Sequence, residues 1–274
     1  MTLLLLVVVA ACTCSVKATR NLHKAAQQDD LDNLKAAING HFDASSKNIN
    51  GFSKKGETAL TLAICNDFVA KEAVKVLLEG GADPDARNRF GNAALHLIAR
   101  STCGEEKKDA NRDAGKIVKL LLKHGADVDV KTTGPGWSRD GSFGLTPLHV
   151  AADAGNLRML ELLLANGAAI DAVDSGGNTA LHHAARGLRA KAVWTLLREG
   201  ADASSESGDS KLPMDIVRHG KDSFAKTIRE HLGRARNIRA EAVREKKAAA
   251  KKKMKRMSEG DSTSTPQHKG KLEL

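Results

Sequence analysis

Aromatic residues are scarce in this chain of 274 residues, where they make up 3% of the sequence and tyrosine is absent. The four cysteines lack the Cys-x-x-Cys or Cys/His spacing of a zinc site, and nothing in their distribution indicates a disulfide framework. Phosphate-cradling glycine motifs, a nucleophile elbow and His-Glu metal spacing are missing as well. We therefore expect no enzyme activity, no metal, no cofactor and no small-molecule substrate.

No apolar run in the chain is long enough to span a bilayer as a helix, which needs about 20 residues. The run at residues 2–13 has the length of a secretory signal core, and small residues follow at positions 16 and 18 as a cleavage site. We expect residues 1–18 to be a cleavable signal and the protein to be secreted or exported. The alternatives are lipid attachment at Cys12 and an apolar cap over the first repeat with a cytoplasmic or nuclear location. No positive charge precedes the run, and this absence argues against a signal and against lipid attachment alike.

One pattern recurs along the middle of the chain. The segment TPLHVAA at 146–152 is followed by a leucine run and then by Gly-Ala at 167–168, and TALHHAA returns 33 residues later at 179–185. Weaker copies begin at residues 58 and 93, and both close on Gly-Ala-Asp. A period of about 33 residues with this residue pattern resembles the ankyrin repeat.

The resemblance implies an all-α solenoid of about six helix-hairpin units over residues 19–232, of which four are clear and two are degenerate caps. Small alanines allow short helices to approach closely, so a fold of this kind needs few aromatic residues. One unit cannot bury its apolar face alone, and stability must come from stacking neighbours. Two polar insertions, at residues 101–113 and 132–142, lengthen the third unit and the loop after it.

Local chemistry agrees with this register. Threonine can cap the first helix of a unit, proline is tolerated in its first turn, and glycine suits the left-handed end of the second helix. His96, His149 and His182 stand at the same repeat position, so we expect them to bind backbone of a neighbouring turn rather than to catalyse. The adjacent pair His182-His183 has no carboxylate close to it in sequence.

The resemblance also implies binding of a protein partner through hairpin tips and the inner ends of the first helices. Register places basic residues in the early repeats and acidic residues in the late ones, although solvated tips without a function would show such charges too. Trp137, in the second insertion, is a candidate aromatic anchor. The expected partner-binding residues are Lys54, Arg87, Arg89, Arg100, Trp137, Asp153, Asp174 and Arg186.

The net charge of +10 is concentrated at the C-terminus, where residues 233–274 hold 13 lysines and arginines against 5 acidic residues. We expect a kink or break at Gly233, a basic helical extension over 233–257 and a disordered tail over 258–274. The basic cluster is a nuclear-import signal, an anchor for nucleic acid or acidic membranes, or a solvated segment. Its members are Lys246, Lys247, Lys251, Lys252, Lys253, Lys255 and Arg256.

Together these features predict a monomeric, non-catalytic scaffold or adaptor that binds a protein partner on the concave face and hairpin tips of the array. The alternative is an exported effector, or a protein tethered through its polybasic tail to nucleic acid or acidic membrane. The sequence does not identify the partner.

Overall fold

The computed structural model describes residues 22–28, 30–41, 49–65, 71–101, 108–134, 141–217 and 223–260. These residues form twelve helices and no strand, and none of the helices is long and apolar enough to cross a membrane. The helices are α1 (22–28), α2 (Leu31–His41), α3 (Ala59–Cys65), α4 (Lys71–Glu79), α5 (Ala94–Arg100), α6 (Lys108–Lys123), α7 (Pro147–Ala154), α8 (Leu157–Ala165), α9 (Ala180–Arg186), α10 (Ala190–Arg198), α11 (Pro213–Ile216) and α12 (Ser223–Gly260).

Successive helices pair and the pairs stack, as the repeat register predicts. The first helices of the pairs form one row, in which α3, α5, α7, α9 and α11 each pack on the next. In a second row, α2 packs on α4, α4 packs on α6, and α8 packs on α10. The predicted all-α repeat solenoid is therefore confirmed.

The core consists of alanines and leucines at repeated positions. Ala99, Ala152 and Ala185, near the ends of α5, α7 and α9, are fully buried, so neighbouring helices approach closely there. At least one leucine in each second helix is also fully buried, and Leu163 in α8 is an example. Burial of one leucine side chain stabilises a fold by roughly 1.5–3 kcal/mol, so each unit depends on its neighbours for this contribution.

The second helix of each clear unit ends on a glycine in the left-handed conformation. At Gly167 φ is +85°, and the next amide, from Ala168, donates to the Leu163 carbonyl over 3.1 Å. An L-residue with a side chain rarely adopts this φ, which explains the choice of glycine. The Gly-Ala closings are thus helix ends, as the sequence predicts.

The chain divides after Leu232 into two compact units. The first ends with the opening turns of α12, where Ala225, Ile228 and Leu232 are buried. The break that we expect at Gly233 is absent, because α12 runs continuously from Ser223 to Gly260. One glycine costs a helix only about 1 kcal/mol, and the surrounding Ala, Lys, Arg and Glu residues are good helix formers.

Candidate partner-binding surface

Three buried histidines join each first helix to the following hairpin. Nδ1 of His96, His149 and His182 accepts the backbone N–H of the residue three positions earlier, over 3.0–3.2 Å. Nε2 of each lies 2.8–3.1 Å from a carbonyl oxygen in the next hairpin. The expected structural role of these histidines is confirmed, and they are occupied by the scaffold.

Burial determines the protonation of these histidines. Desolvation lowers the pKa of His96 to about 4 and that of His149 to about 3. For His149 the nearby His183 lowers the pKa further, and the two rings meet edge to face with centroids 5.2 Å apart. The pKa of His182 is lowered as well, chiefly by desolvation. The imidazoles are therefore neutral at physiological pH, when Nδ1 can accept and Nε2 can donate.

The loops that follow the second helices are tied from one unit to the next by side-chain oxygens. The Asp85 carboxylate accepts the backbone N–H of Asp127 over 3.0 Å, and the Asp171 carboxylate accepts that of Asp202 over 2.9 Å. Asn50 and Asp129 make the equivalent contacts with their own neighbouring units. These oxygens hold successive hairpins in a fixed register, which is what a surface spread over several hairpins requires.

Asp174 was expected on an exposed hairpin tip, but the structure places its side chain in the interior. Its Oδ1 accepts the backbone N–H groups of Gly176 and Asn178, each over 2.8 Å. Its Oδ2 accepts from Ser142 Oγ over 2.9 Å and lies 2.8 Å from His183 Nε2. The side chain is fully buried, so Asp174 cannot serve as an accessible partner contact, and His183 does have a carboxylate partner.

The protonation state of Asp174 follows from opposing causes. Burial alone would raise its pKa, but hydrogen bonds from His183, the Asn178 backbone and Ser142 outweigh burial and hold the pKa well below its usual range. The carboxylate is therefore ionised and fixed. The pair of Asp174 and His183 joins the hairpin that contains Asp174 to α9.

The basic residues expected on the early hairpins do reach the surface. Lys54 and Arg89 are exposed, and Arg87 is half-buried with its Nε donating to the Lys131 carbonyl over 3.1 Å. The Arg89 backbone N–H donates to the Gly56 carbonyl over 2.7 Å, which joins the first two hairpins. The structure thus brings these three cations together on two linked hairpins.

Arg100, Asp153 and Arg186 occupy equivalent places in the last turns of α5, α7 and α9. Arg100 is exposed, whereas Asp153 and Arg186 are half-buried. Arg186 Nη2 donates to Asn178 Oδ1 over 3.3 Å. Because the three helices stack in one row, these residues form a line of mixed charge along the helix ends. Trp137 lies outside the described residues.

Exposed apolar side chains on the hairpins were missed by the sequence reasoning. Phe52, Phe90, Phe143 and Val173 lie on four successive hairpins and are all exposed. The pairs Phe90-Gly91 and Phe143-Gly144 could have indicated them, since a large apolar residue precedes the turn glycine twice in otherwise polar loops. These side chains add apolar surface beside the predicted cations.

The remaining expectations concern the tail and metal binding. The basic cluster at residues 246–256 lies within α12. Among the residues that the structure describes, no group of three or more His, Cys, Asp or Glu side chains is placed to hold a metal ion.

The repeat geometry is matched by a family model. The model for ankyrin repeats (3 copies) matches residues 22–132 and 109–207 of this chain. The chain belongs to the ankyrin-repeat family. Ankyrin repeats are a protein–protein interaction module and are typically non-catalytic.

Individual ankyrin-repeat relatives agree with this assignment. The chain is 32% identical to the mouse (Mus musculus) B-cell lymphoma 3 protein homolog over 60% of its own length and 33% of that protein. It is 34% identical to the human (Homo sapiens) SH3 and multiple ankyrin repeat domains protein 2 over 63% of its own length and 8% of that protein. The chain thus spans a third or less of these curated relatives.

A solved structure shows the same architecture. The crystal structure of an ankyrin repeat domain from Acinetobacter baumannii AYE superimposes with a TM-score of 0.59 and 25% sequence identity. The match covers 78% of this chain and 96% of the solved one.

Proposed function

We propose that this ankyrin-repeat chain is a non-catalytic scaffold or adaptor that binds a protein partner on the concave face and hairpin tips of its early repeats. The observation that carries this proposal is a group of cations on two linked hairpins, formed by the exposed Lys54 and Arg89 and the half-buried Arg87. Arg100, exposed at the end of the adjacent α5, continues the group along the first helices.

Rigid support favours this surface as the binding site. The hairpins are held by backbone hydrogen bonds and by the Asp85 carboxylate, so little order must be imposed when a partner binds. Arginine is enriched at protein interfaces, where its planar, charged group can donate two parallel hydrogen bonds to one carboxylate. A partner with an acidic surface is therefore the best match. We propose that the protein acts as a monomer.

The first test reverses charge at three positions of this surface. The variant Arg87→Glu/Arg89→Glu/Arg100→Glu should weaken partner binding by tenfold or more, an estimate of about 1.4 kcal/mol. Its melting temperature should fall only slightly, because Arg89 and Arg100 are exposed and the half-buried Arg87 loses one hydrogen bond, to the Lys131 carbonyl. The partner is first identified by affinity capture with the full chain and mass spectrometry, and its affinity is then measured by calorimetry.

A matched control reverses three exposed lysines of the second helices, in the variant Lys119→Glu/Lys123→Glu/Lys191→Glu. It changes the net charge by the same amount and should leave the affinity unchanged. If the partner binds the first variant as tightly as the parent chain, the basic hairpins are not the contact.

A second candidate function rests on the tail. In α12 the described side chains beyond Gly233 are largely exposed and include Arg234, Arg236 and Arg244, so the helix presents cations to solvent. We propose that this extension, with the cluster at 246–256, binds nucleic acid or acidic membrane weakly and without sequence preference. No aromatic residue lies within the cluster to stack on bases.

Deletion of residues 246–256 tests this candidate. The full chain should bind a labelled DNA duplex or anionic vesicles, and the affinity should fall about tenfold or more between about 50 and 200 mM salt. The deletion should remove this binding while affinity for the protein partner persists. Binding that survives the deletion, or that persists at high salt, would show that the tail is not the contact.

We further propose export through a cleavable N-terminal signal, with a cytoplasmic or nuclear location as the alternative. The apolar segment at 2–13 and the small residues before position 19 support cleavage near Thr19. N-terminal sequencing of the mature protein tests this, and a retained Met1 would exclude export by this route.

A further inference from the structure

The four exposed apolar side chains of the hairpins form a row along the repeats. Their exposed fractions are 63% for Phe52, 46% for Phe90, 55% for Phe143 and 46% for Val173. Single exposed apolar residues are common on protein surfaces, but a contiguous group is unusual and marks an interaction site. Whether these four form a group depends on how the hairpins are joined.

Backbone hydrogen bonds join the hairpins edge to edge. The Gly56 carbonyl accepts from the Arg89 N–H over 2.7 Å, and the Gly91 carbonyl accepts from the Thr133 N–H over 3.2 Å. The Thr132 carbonyl accepts from the Gly144 N–H over 3.0 Å, and the Phe143 carbonyl accepts from the Ser175 N–H over 2.8 Å. The four side chains therefore belong to one continuous edge, which we name the apolar tip row (Phe52, Phe90, Phe143 and Val173).

The repeat register places the apolar side chains at two positions of the hairpin. Phe90 and Phe143 each precede a glycine in the left-handed conformation, at Gly91 and Gly144. Phe52 and Val173 each stand four residues before the equivalent glycine of their own hairpin. Only two register positions therefore supply all four apolar side chains.

Cations flank the apolar tip row. Lys54 and Lys55 are exposed beside Phe52, and the Arg89 guanidinium carbon lies 4.5 Å from the centre of the Phe90 ring. Lys131 is exposed, and its Nζ lies 3.3 Å from the Val173 carbonyl oxygen.

The acidic groups of the same hairpins are occupied within the array. Glu57 accepts from Thr61 Oγ1 and Asn88 Nδ2, and Asp174 is buried. The aspartates at the hairpin bases, such as Asp85 and Asp129, accept backbone N–H groups of the next unit. Residues 52–57, 87–92, 131–133, 142–145 and 173–178 hold five lysines and arginines against two acidic residues, Glu57 and Asp174. The hairpins beside the row therefore carry a net positive charge.

We propose that the apolar tip row binds an extended partner segment in which acidic residues alternate with aromatic or large aliphatic residues. The inference rests on the proposed partner-binding function and names the chemistry of that partner. The apolar side chains of the segment cover the phenylalanine rings, and its carboxylates pair with Lys54, Arg89 and Lys131. Alternation follows because successive side chains of an extended chain point to opposite sides.

Stacking prepares this site for binding. The Arg89 guanidinium over the Phe90 ring is already oriented, so less side-chain freedom is lost when a carboxylate pairs with it. Aromatic residues and arginine are both enriched at protein interfaces.

The test uses three labelled peptides of about ten residues and the full chain. One alternates glutamate with phenylalanine, the second replaces glutamate with lysine, and the third replaces phenylalanine with serine. The glutamate–phenylalanine peptide should bind at least about tenfold more tightly than either other peptide, measured by fluorescence anisotropy. Phe90→Ser/Phe143→Ser should weaken its binding by about tenfold, the loss expected when central aromatic contacts are removed.

The matched control is Trp194→Ser, which removes an aromatic side chain of similar exposure from α10 and should bind the peptide like the parent chain. Equal affinity for all three peptides, or an unaffected double serine variant, would overturn the inference. It would also be overturned by self-association that the double variant abolishes, or by peptide binding that appears only after residues 1–18 are removed. These results would assign the row to a second copy or to the N-terminal apolar segment. If the peptides do not bind while the Arg87/Arg89/Arg100 reversal still weakens partner binding, only this inference is contradicted.

Discussion

Replacing Leu163 with aspartate is expected to abolish the cooperative unfolding of the array. Leu163 is fully buried in α8, whose neighbours in the stack are α7 and α10. The change removes a leucine side chain from the core, which alone costs about 2–5 kcal/mol. It also buries a carboxylate without a partner, and the expected total is on the order of 5 kcal/mol or more. A loss of that size is comparable with the whole stability of a typical domain.

The repeat architecture determines how this loss appears in the measurement. Units contact only their neighbours, so damage to the unit of α7 and α8 separates the repeats before it from those after it. Urea unfolding followed by circular dichroism should then show a broad transition with reduced helix content in water. Ala165→Asp is the control, because it places the same carboxylate at an exposed position of the same helix. A Leu163→Asp chain that unfolds in one sharp transition near the parent midpoint would contradict the stacked arrangement.

The sequence predicted much of this fold because the residues of the repeat signature have local structural roles. The leucine run at 162–164 and the Gly-Ala pair at 167–168 identify a buried face and a left-handed helix end. The prediction for His149 succeeded for the same reason, since its contacts repeat at equivalent positions in other units. Because the repeat places equivalent residues in the same environment several times, each copy supports the interpretation of the others.

The candidate site was harder to predict, because position along a hairpin does not give the direction of a side chain. Asp174 was expected on an exposed tip, yet the loop returns its carboxylate to His183, nine residues later. A signal was present: His183 stands where other units have Leu97 or Val150, and a polar residue at a buried position needs a hydrogen-bonding partner. Only the folded chain shows which residue provides it.

The exposed phenylalanines illustrate the opposite error. Phe90 and Phe143 are apolar, and a reading based on hydrophobicity would assign them to the core. They are exposed because the left-handed glycine that follows each one turns the hairpin at the edge of the stack. Gly233 likewise predicted a break, but helix propensity over many neighbours outweighed one residue.

Acid is expected to unfold the array well above the pH at which most carboxylates titrate. His96 and His149 are buried and neutral, with pKa values lowered from 6.5 to about 4 and about 3, and the pKa of His182 is lowered as well. As the pH falls below 6.5, these histidines bind protons in the unfolded chain but stay neutral in the folded chain. The stability contributed by neutral histidine is therefore complete above about pH 6.5 and is lost progressively as the pH falls toward the folded pKa values.

The size of the effect follows from the shifts. One pKa unit corresponds to 1.36 kcal/mol, so the shift of His96 alone corresponds to a loss of about 3 kcal/mol by pH 4. Protonation would also remove the acceptor at Nδ1, which holds the backbone N–H of Ala93. Asp174 does not contribute to the loss of stability between pH 6.5 and 4. Its pKa is lowered, so the stability that its ionised form contributes is lost only at more acidic pH.

Urea unfolding at several pH values between about 7 and 4.5 measures this loss. The free energy of unfolding should fall by up to about 1.4 kcal/mol per pH unit for each of His96, His149 and His182, whose pKa values are lowered. His149→Gln should remove one of these contributions to the slope. Leu160→Val is the control, since it weakens the core at a fully buried position without changing a titrating group, so its slope should match that of the parent chain. An unfolding free energy that stays constant over this range would show that the histidines are not held neutral by the stack. A slope unchanged by His149→Gln would show that the proton uptake arises elsewhere in the chain.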